Sequence, residues 1–295
     1  MKIIAYGVRK DELPFFEKFA DQFGIEYATT AKELNNETAK LAKGFDAVDI
    51  DRAKKHHIKI SNVPQYSPSA IAEFAVAMTL AVLRKIPLAL ERAKVQDFSV
   101  EGLLGKELNQ MTIGVIGTGR IGMTTAKVFN AFGSKVIGYD VFQNEEAKKV
   151  LEYKSLDDVF ANSDIISLHI PLTSENKHII NKNSIEKMKD GVIIINTARG
   201  GHIDGEALRD ALVSGKVAAA GLDVYEFEEG LLKRDLSGEV IRDSIYRDLS
   251  NLPNVIMTPH IAFSTETAVH NMVKMSTENL IAFTNAGVSD NEITK

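Results

Sequence analysis

The 295-residue sequence contains no cysteine, which excludes disulfide bonds and metal sites built on thiolates. No apolar run approaches the ~20 residues of a membrane-spanning helix. Residues 1–7 are too few for a signal peptide and are typical of a first strand. A net charge of −5 without a long basic run argues against a nucleic acid as the main partner. We therefore expect a cytoplasmic protein with no metal, no membrane and no nucleic-acid partner.

The chain is organised around residues 111–140. An apolar run precedes GTGRIG at residues 117–122, and an apolar helical stretch and a second apolar run follow, ending on Asp140. Gly117 permits a tight turn after the strand, Gly119 lets the backbone approach a pyrophosphate, and Gly122 lets the helix pack close to the sheet. The pattern predicts a dinucleotide-binding strand, turn, helix and strand; the alternative is a tight turn in another α/β protein.

Asp140 indicates which dinucleotide is bound. It lies 23 residues after Gly117, where a carboxylate can accept hydrogen bonds from the ribose hydroxyls and would repel a 2′-phosphate. The helix N-terminus at Arg120 and Ile121 offers N–H groups to the phosphates. We therefore predict NAD as the cofactor.

Strands and helices alternate along the rest of the chain. Before residue 64 the sequence predicts strands at 2–7, 26–29, 46–48 and 59–63 and helices at 14–23, 36–42 and 51–57. A long apolar helix then begins at Pro68, either as a connector between domains or as an ordinary core helix. Residues 88–108 are interpreted as an arm that reaches a second subunit.

After Asp140 the alternation continues, with strands at 165–170, 192–197, 218–224 and 255–258 and helices at 156–161, 184–188 and 205–213. With the two earlier strands these complete a six-stranded sheet. A last helix at 265–285 returns to the first domain. We predict an α/β protein with a doubly wound parallel-sheet (Rossmann) NAD domain, residues 65–264. The remaining residues, 1–64 and 265–295, form a smaller, discontinuous, flavodoxin-like substrate domain.

Chemically capable side chains fall at the carboxyl ends of the predicted strands, where ligands bind in such sheets. The group includes Asp140, Pro171, Thr197, Arg199, Asp223 and His260. Hydride transfer to a carbonyl needs a proton donor, and histidine suits this near neutral pH. Of seven histidines, His260 is our choice because it follows the last strand; the alternative is that it only caps that strand. We set the other six histidines aside. We expect His56 and His57 in a solvated helix, His178 and His202 in loops, His270 in the last helix, and His169 in a packing role only.

An acidic and a basic group would complete such a site. A carboxylate would orient His260 and raise its pKa, and Glu228 stands in the loop after the strand at 218–224, although position alone does not exclude Glu226 or Glu229. Arg199 can hold a substrate carboxylate through two parallel hydrogen bonds. Its alternative is an ordinary surface arginine.

The sequence resembles the D-isomer-specific 2-hydroxyacid dehydrogenase family, most closely its D-lactate and D-2-hydroxyisocaproate dehydrogenase branch. The similar stretches cover nearly the whole chain: MKIIAYGVRKDELPFFEKF, NVPQYSPSAIAEFA, GTGRIG, DIISLHIPLT, INTARGGHIDGEAL, GLDVYEFE and TPHIAFSTETAVHNM. The resemblance implies that the chain interconverts a 2-keto acid such as pyruvate and a D-2-hydroxy acid such as D-lactate with NAD. It implies Arg199 as the carboxylate anchor, His260 as the proton donor, and Glu228, five residues after Asp223, as the partner of His260.

The resemblance also implies the binding residues. Cofactor contacts are expected at Gly117, Gly119, Arg120, Ile121, Gly122, Asp140, Ile170, Pro171, Asn176, Thr197, Ala198 and Asp223. Tyr66 and Phe263 match positions that shape the substrate pocket. Family members are usually dimers held through helix 68–86 and the arm after it, which implies a homodimer.

One segment departs from the family. Between residues 46–48 and 51–55, members carry further strands and helices and a glycine-containing loop that holds the substrate carboxylate. That block, about one βαβ unit or ~30 residues, is absent after Val48. We expect an intact NAD domain beside a shortened substrate domain.

Three hypotheses therefore stand. The first is an active NAD-dependent dehydrogenase for pyruvate or a similar 2-keto acid. The second is an NAD-binding family member with little or no turnover, either regulatory or a deletion form. The third is a dehydrogenase for another acid, such as 2-hydroxyisocaproate, 2-hydroxyglutarate or phosphoglycerate. NADH oxidation with several keto acids, beside an NADH-binding titration, distinguishes them.

Overall fold

The computed structural model describes residues 2–6, 8–30, 59–231 and 234–293. The chain divides into two compact units, Met1–Ser67 with Phe263–Lys295, and Pro68–Ala262. The predicted helices at 36–42 and 51–57, the predicted strand at 46–48, and the expected gap after Val48 lie outside the described residues. None of the described helices combines the length and apolarity that a membrane crossing requires.

The described strands and helices follow one another in the predicted α/β alternation. The strands are β1 (Lys2–Tyr6), β2 (Glu26–Thr30), β3 (Thr112–Ile116), β4 (Lys135–Tyr139), β5 (Glu152–Tyr153), β6 (Ile165–Leu168), β7 (Val192–Asn196), β8 (Val217–Leu222) and β9 (Val255–Met257). The helices are α1 (Leu13–Phe23), α2 (Pro68–Leu83), α3 (Ile86–Lys94), α4 (Arg120–Ala131), α5 (Leu156–Asn162), α6 (Lys182–Lys187), α7 (Gly205–Ser214), α8 (Ser244–Asn251) and α9 (Glu266–Ala286).

In the smaller unit, β1 and β2 pair in parallel, and α1 packs against α9 around Phe19, Val269 and Val273. Both helices end on a glycine in the left-handed conformation. The predicted strand at 59–63 is wrong. Instead, Asn62 donates its main-chain N–H to Asn291, and Ile293 donates to Ile60, so this stretch satisfies its backbone against the C-terminal segment and forms only an isolated bridge.

The larger unit contains a parallel sheet in the order β5-β4-β3-β6-β7-β8-β9. It has seven strands where the sequence predicted six, because β5, only two residues long, is too short to show a period. The central strands are nearly continuous apolar runs, since helices cover both faces of the sheet. Ile113, Ile165 and Ile194, one on each of three neighbouring strands, are completely buried.

Two helices define the rest of this unit. α2 packs against α4 and the sheet and buries Ala75, Val76 and Met78 in the core, so it is a core helix of the larger unit. α8 was missed by the sequence reasoning. It begins after Asp243, whose side chain accepts the main-chain N–H of Tyr246, a standard N-cap. The segment interpreted as an arm contains α3, and residues 95–107 after it have no regular structure.

Candidate active site

The glycine turn after β3 forms an open cradle in front of α4. Gly117 has a φ of +94°, and a Cβ there would lie 2.5 Å from the carbonyl oxygen of His169. A Cβ on Gly122 would collide with the carbonyl oxygen of Gly117. By contrast, a Cβ on Gly119 would meet nothing within 4 Å. Open space therefore lies beside the first residues of α4, Arg120 and Ile121, where a phosphate can reach the helix N-terminus.

Asp140 directly follows β4 and is held at the neighbouring edge of the sheet. Its Oδ2 accepts the main-chain N–H of Thr118 at 2.6 Å, and its Oδ1 accepts the N–H of Phe142 at 3.1 Å. The Thr118 hydroxyl lies 2.5 Å from the hydroxyl of Tyr153, which sequence reasoning missed because it lies on the short strand β5. These contacts fix a carboxylate beside the cradle, as recognition of a ribose requires.

Two further segments meet this carboxyl edge. After β6, Asn176 accepts the N–H of Thr173 at 2.8 Å and donates to the carbonyl of Pro171 at 2.7 Å, which shapes the loop that begins at Ile170. After β7, the Thr197 hydroxyl is buried with no hydrogen-bond partner among the described residues, beside the buried Ala198. An unpaired buried hydroxyl is costly unless a ligand satisfies it. Together with the Gly119 cradle, it makes this edge fit a dinucleotide.

Asp223 organises the loop that carries His260. Its side chain is fully buried and accepts hydrogen bonds from the Thr258 hydroxyl at 2.6 Å and from the N–H groups of Ile261 and Ala262 at 2.9 and 2.8 Å. Burial raises the pKa of Asp223, and these hydrogen bonds oppose that rise. The main-chain carbonyl of Asp223 also accepts the N–H of His260 at 2.8 Å. Within this frame His260 has a φ of +55°, a conformation uncommon outside glycine.

His260 forms an ion pair with Glu228. The distance from Nδ1 to Oε1 is 2.8 Å, and the second carboxylate oxygen accepts the main-chain N–H of Tyr225 at 2.8 Å. The hydrogen bond to Glu228 raises the pKa of His260 above its usual range, against the opposing effect of burial. The charge of Asp223 also raises this pKa, and the charge of Arg199 lowers it.

The alternative carboxylate Glu226 faces other groups. Its Oε2 lies 2.9 Å from His178 Nε2, and its Oε1 lies 3.1 Å from Lys177 Nζ. Glu228 is therefore the carboxylate bonded to His260, a distinction that sequence position could not make.

Arg199 stands on a rigid turn after β7. Asn196 donates to the Arg199 carbonyl at 2.8 Å and accepts the N–H of Ala198 at 3.0 Å. The Arg199 side chain is exposed. A Cβ on the next residue, Gly200, would collide with the main chain of Tyr225. The turn that carries Arg199 thus lies directly against the loop that carries Glu228, which brings a cation, a carboxylate and an imidazole into one region.

Two other histidines of this unit are poor acid/base candidates. Burial lowers the pKa of His169 to about 4, and its Nε2 lies 2.9 Å from the Ser167 hydroxyl. His202, which the sequence placed in a loop, is completely buried in the short 3-10 turn Gly200–His202. Burial lowers the pKa of His202 as well. Both rings are therefore neutral near pH 7.

In the smaller unit, the rings of Tyr66 and Phe263 meet edge to face with centroids 6.5 Å apart. The guanidinium of Arg9, a residue that the sequence reasoning did not single out, lies 5.4 Å from the Phe263 ring centroid. An aromatic pair of this kind is a suitable wall for an apolar side chain.

Comparisons with known proteins agree with this geometry. Residues 76–262 match the family described as "D-isomer specific 2-hydroxyacid dehydrogenase, NAD binding domain". The chain is 43% identical to an aromatic 2-oxoacid reductase from Clostridium sporogenes, covering 99% of each chain. It is 42% identical to a D-lactate dehydrogenase from Lactiplantibacillus plantarum, again covering 99% of each. Among solved structures it is similar to D-2-hydroxyisocaproate dehydrogenase, with a TM-score of 0.91, 38% identity and coverage of 100% of both chains.

The alignment with one of these relatives is longer than this chain. The alignment with the Clostridium sporogenes reductase spans 327 positions, 32 more than the 295 residues of this chain. At least that many positions of the relative therefore have no counterpart here.

Proposed function

This chain belongs to the D-isomer-specific 2-hydroxyacid dehydrogenase family, and on that premise we propose that Arg199, Glu228 and His260 carry its reaction. The protein is an NAD-dependent enzyme that interconverts 2-keto acids and D-2-hydroxy acids. When bound, NAD would supply the hydride chemistry at the substrate carbon. The side chains of the protein bind the carboxylate of the substrate and move the proton.

His260 is the acid in the direction of reduction and the base in the direction of oxidation. Because Nδ1 is committed to Glu228, Nε2 is the nitrogen that gives its proton to the carbonyl oxygen. Glu228 stabilises the imidazolium that this step requires and fixes the plane of the ring. General acid/base assistance of this type accelerates reactions by ~10²–10⁴-fold.

Arg199 binds the substrate carboxylate. Its planar guanidinium matches a carboxylate with two parallel hydrogen bonds, and the Asn196 contacts hold the turn from which it projects. In this position the cation also polarises the carbonyl next to the carboxylate. Arg199 and His260 therefore set the orientation of the keto acid at its two oxygen-bearing groups.

The carboxyl edge of the sheet would hold NAD. The glycines at 117, 119 and 122 with Arg120 and Ile121 would bind the pyrophosphate, and Asp140 would bind the adenosine ribose. Residues of the loops after β6, β7 and β8 would line the nicotinamide half: Ile170, Pro171, Asn176, Thr197, Ala198 and Asp223. The unpaired Thr197 hydroxyl supports this assignment most directly.

We infer that the substrate side chain is larger than a methyl group. The edge-to-face pair of Tyr66 and Phe263 offers an aromatic wall, and Ser264 beside it is small. Phenylpyruvate and 2-ketoisocaproate are therefore expected to be reduced with higher kcat/KM than pyruvate. Equal or higher kcat/KM for pyruvate, for a 2-keto dicarboxylate or for phosphohydroxypyruvate would contradict this assignment.

The hydrogen bond between Glu228 and His260 is the observation that carries the proposal. The test is NADH oxidation with a panel of 2-keto acids, beside an NADH-binding titration. Wild-type protein should turn over at least one acid, and His260→Gln should lose ~10²–10⁴-fold in kcat while binding NADH normally. Tight NADH binding without turnover of any acid would overturn the proposal in favour of a binding member of the family.

A homodimer is the assembly that we propose. Along α3 and the segment after it, five large apolar side chains are strongly exposed: Leu90, Val95, Phe98, Val100 and Leu104, at 58%, 75%, 80%, 83% and 88%. Apolar patches of this kind mark interaction surfaces, and continuity with α2 supports a second copy as the occupant. Phe98→Asp with Leu104→Asp should give monomers in light scattering, whereas Val213→Asp, at an exposed position of α7, should not.

The division of labour between the two units is also a proposal. The larger unit, Pro68–Ala262, is the NAD domain. The smaller unit, Met1–Ser67 with Phe263–Lys295, is the substrate domain, shortened by the absence of a block after Val48. The difference in alignment length supports a block of this size. Insertion of the corresponding segment of a relative after Val48 should lower the KM for the keto acid and leave NADH binding unchanged.

We expect the enzyme to act in the cytoplasm, where its nucleotide cofactor is retained.

A further inference from the structure

Tyr225 connects the loop of Glu228 to the start of α8. Its main-chain N–H donates to Glu228 Oε2 at 2.8 Å, and its hydroxyl donates to Asp243 Oδ2 at 2.7 Å. Oδ1 of the same aspartate accepts the N–H of Tyr246 at 2.9 Å and so caps α8. The carboxylate that orients His260 is thereby tied, through one residue, to a helix N-terminus.

Tyr225 packs within the core of the larger unit, and its ring meets the rings of Phe227 and Tyr246 edge to face. Gly200 lies against its main chain so closely that a Cβ would collide. Tyr225 also borders a cavity of about 230 Å³, whose lining includes Asp243 and the apolar side chains of Ile203 and Leu249. Tyr225 is only 8% exposed, so packing holds its ring, and the hydrogen bond to Asp243 fixes its hydroxyl end at the start of α8. Burial, followed by the effects of Asp243, raises the pKa of Tyr225, which keeps the hydroxyl protonated as a donor.

We propose that Tyr225 and Asp243 are positioning residues for the reaction: their hydrogen bond sets the main chain that holds Glu228 against His260. Neither side chain touches the substrate or NAD in this assignment. Their role is to keep the Glu228 carboxylate at hydrogen-bond distance from Nδ1. The inference rests on the proposed function, because it concerns the protonation of the proposed acid.

The charges around the two residues make the proposal testable. Glu228, Asp223 and Arg199 act on the pKa of His260, and Asp243 and Glu226 act on that of Tyr225. Tyr225→Phe removes a neutral hydroxyl and leaves all of these charges in place. A change in the pKa of His260 in this variant would therefore report the geometry of the Glu228 contact and not an altered charge.

The experiment is the pH dependence of kcat/KM for keto-acid reduction. Reduction needs protonated His260, so activity falls as the pH rises through its pKa. Tyr225→Phe should move this alkaline limb to lower pH by about half a unit, a fraction of the shift that loss of a hydrogen bond to a charged group would cause. Asp243→Asn, which retains an acceptor for the α8 cap, should move it in the same direction by less. Tyr246→Phe is the matched control, because its ring packs on Tyr225 with centroids 5.4 Å apart; it should leave the limb in place.

A second readout does not depend on turnover. NMR titration of labelled histidine, with His260 assigned through His260→Gln, should show the same lowered pKa in Tyr225→Phe. In the Glu228→Gln background, Tyr225→Phe should cause no further shift. An unshifted His260 pKa in both Tyr225→Phe and Asp243→Asn, or activity lost equally at every pH, would overturn the proposal. If no keto acid is turned over, the proposed function fails, while the NMR titration still decides the inference.

Discussion

Glu228→Gln isolates the effect of one negative charge on the proposed acid. The substitution preserves the size of the side chain but leaves a single accepting oxygen for two donors, Nδ1–H of His260 and N–H of Tyr225. Because the hydrogen bond to Glu228 is the largest cause of the raised pKa of His260, the variant should lower that pKa. Imidazolium would then be lost at a lower pH than in the wild type.

The magnitude follows from the exposure of the pair. A hydrogen bond to a charged group contributes ~1.5–3 kcal/mol. The side chains of His260 and Glu228 are 30% and 17% exposed, so solvent screening favours the lower end, about 1.5 kcal/mol. At about 1.4 kcal/mol per pKa unit, this corresponds to a downward shift of about one unit.

The assay is the pH profile of kcat/KM for keto-acid reduction. At pH values above the pKa of His260 in both enzymes, kcat/KM of the variant should be about tenfold lower than that of the wild type. This difference should narrow at low pH, where His260 is protonated in both enzymes. Glu226→Gln is the control, because Glu226 pairs with His178 and Lys177. A limb that moves in Glu226→Gln and stays in place in Glu228→Gln would refute the assignment of the pair.

Three further predictions concern the binding residues. Arg199→Lys replaces a planar fork by a point charge and should lower kcat/KM for the keto acid by about 10–100-fold, with NADH affinity unchanged in a binding titration; equal loss of NADH affinity would argue against a carboxylate role. Asp140→Ser removes the carboxylate that repels a 2′-phosphate, so the ratio of kcat/KM for NADPH to that for NADH should rise at least about tenfold; an unchanged ratio would place specificity elsewhere. Gly119→Ala and Gly122→Ala form a matched pair: since only a Cβ at Gly122 meets the backbone, Gly122→Ala should lower the free energy of unfolding by about 1–3 kcal/mol. Gly119→Ala should fold normally but bind NADH more weakly, and the reverse pattern in denaturation and binding would contradict the cradle.

The parts of the fold that the sequence predicts well are those with a local signal. Strands β3, β4 and β7 are short apolar runs next to turns, and the structure confirms a strand in each of them. The glycine turn could be placed for the same reason. By contrast, β5 and the stretch at 59–63 depend on which segment comes to lie beside them, which no local period encodes.

In the candidate site, too, the residues with a local sequence signal could be predicted and the others could not. Sequence position singled out Arg199 and His260 as candidates, because each follows a strand whose end is predictable. It could not separate Glu228 from Glu226, because the two lie only two positions apart in an irregular loop. The path of that loop decides which carboxylate meets the imidazole. The roles that we propose for Tyr225 and Asp243 could not be inferred from sequence position either. Their contact joins positions 18 residues apart across a segment without a periodic pattern.

The backbone of His260 has a consequence for the engineering of this enzyme. A φ of +55° is a conformation that glycine adopts freely and that other residues adopt at a cost on the order of 1 kcal/mol or more. His260→Gly should therefore recover part of this free energy, and a screen for thermal tolerance alone would favour inactive protein at this position. Selection that combines heat with turnover would retain the histidine and direct the stabilising changes to other parts of the chain.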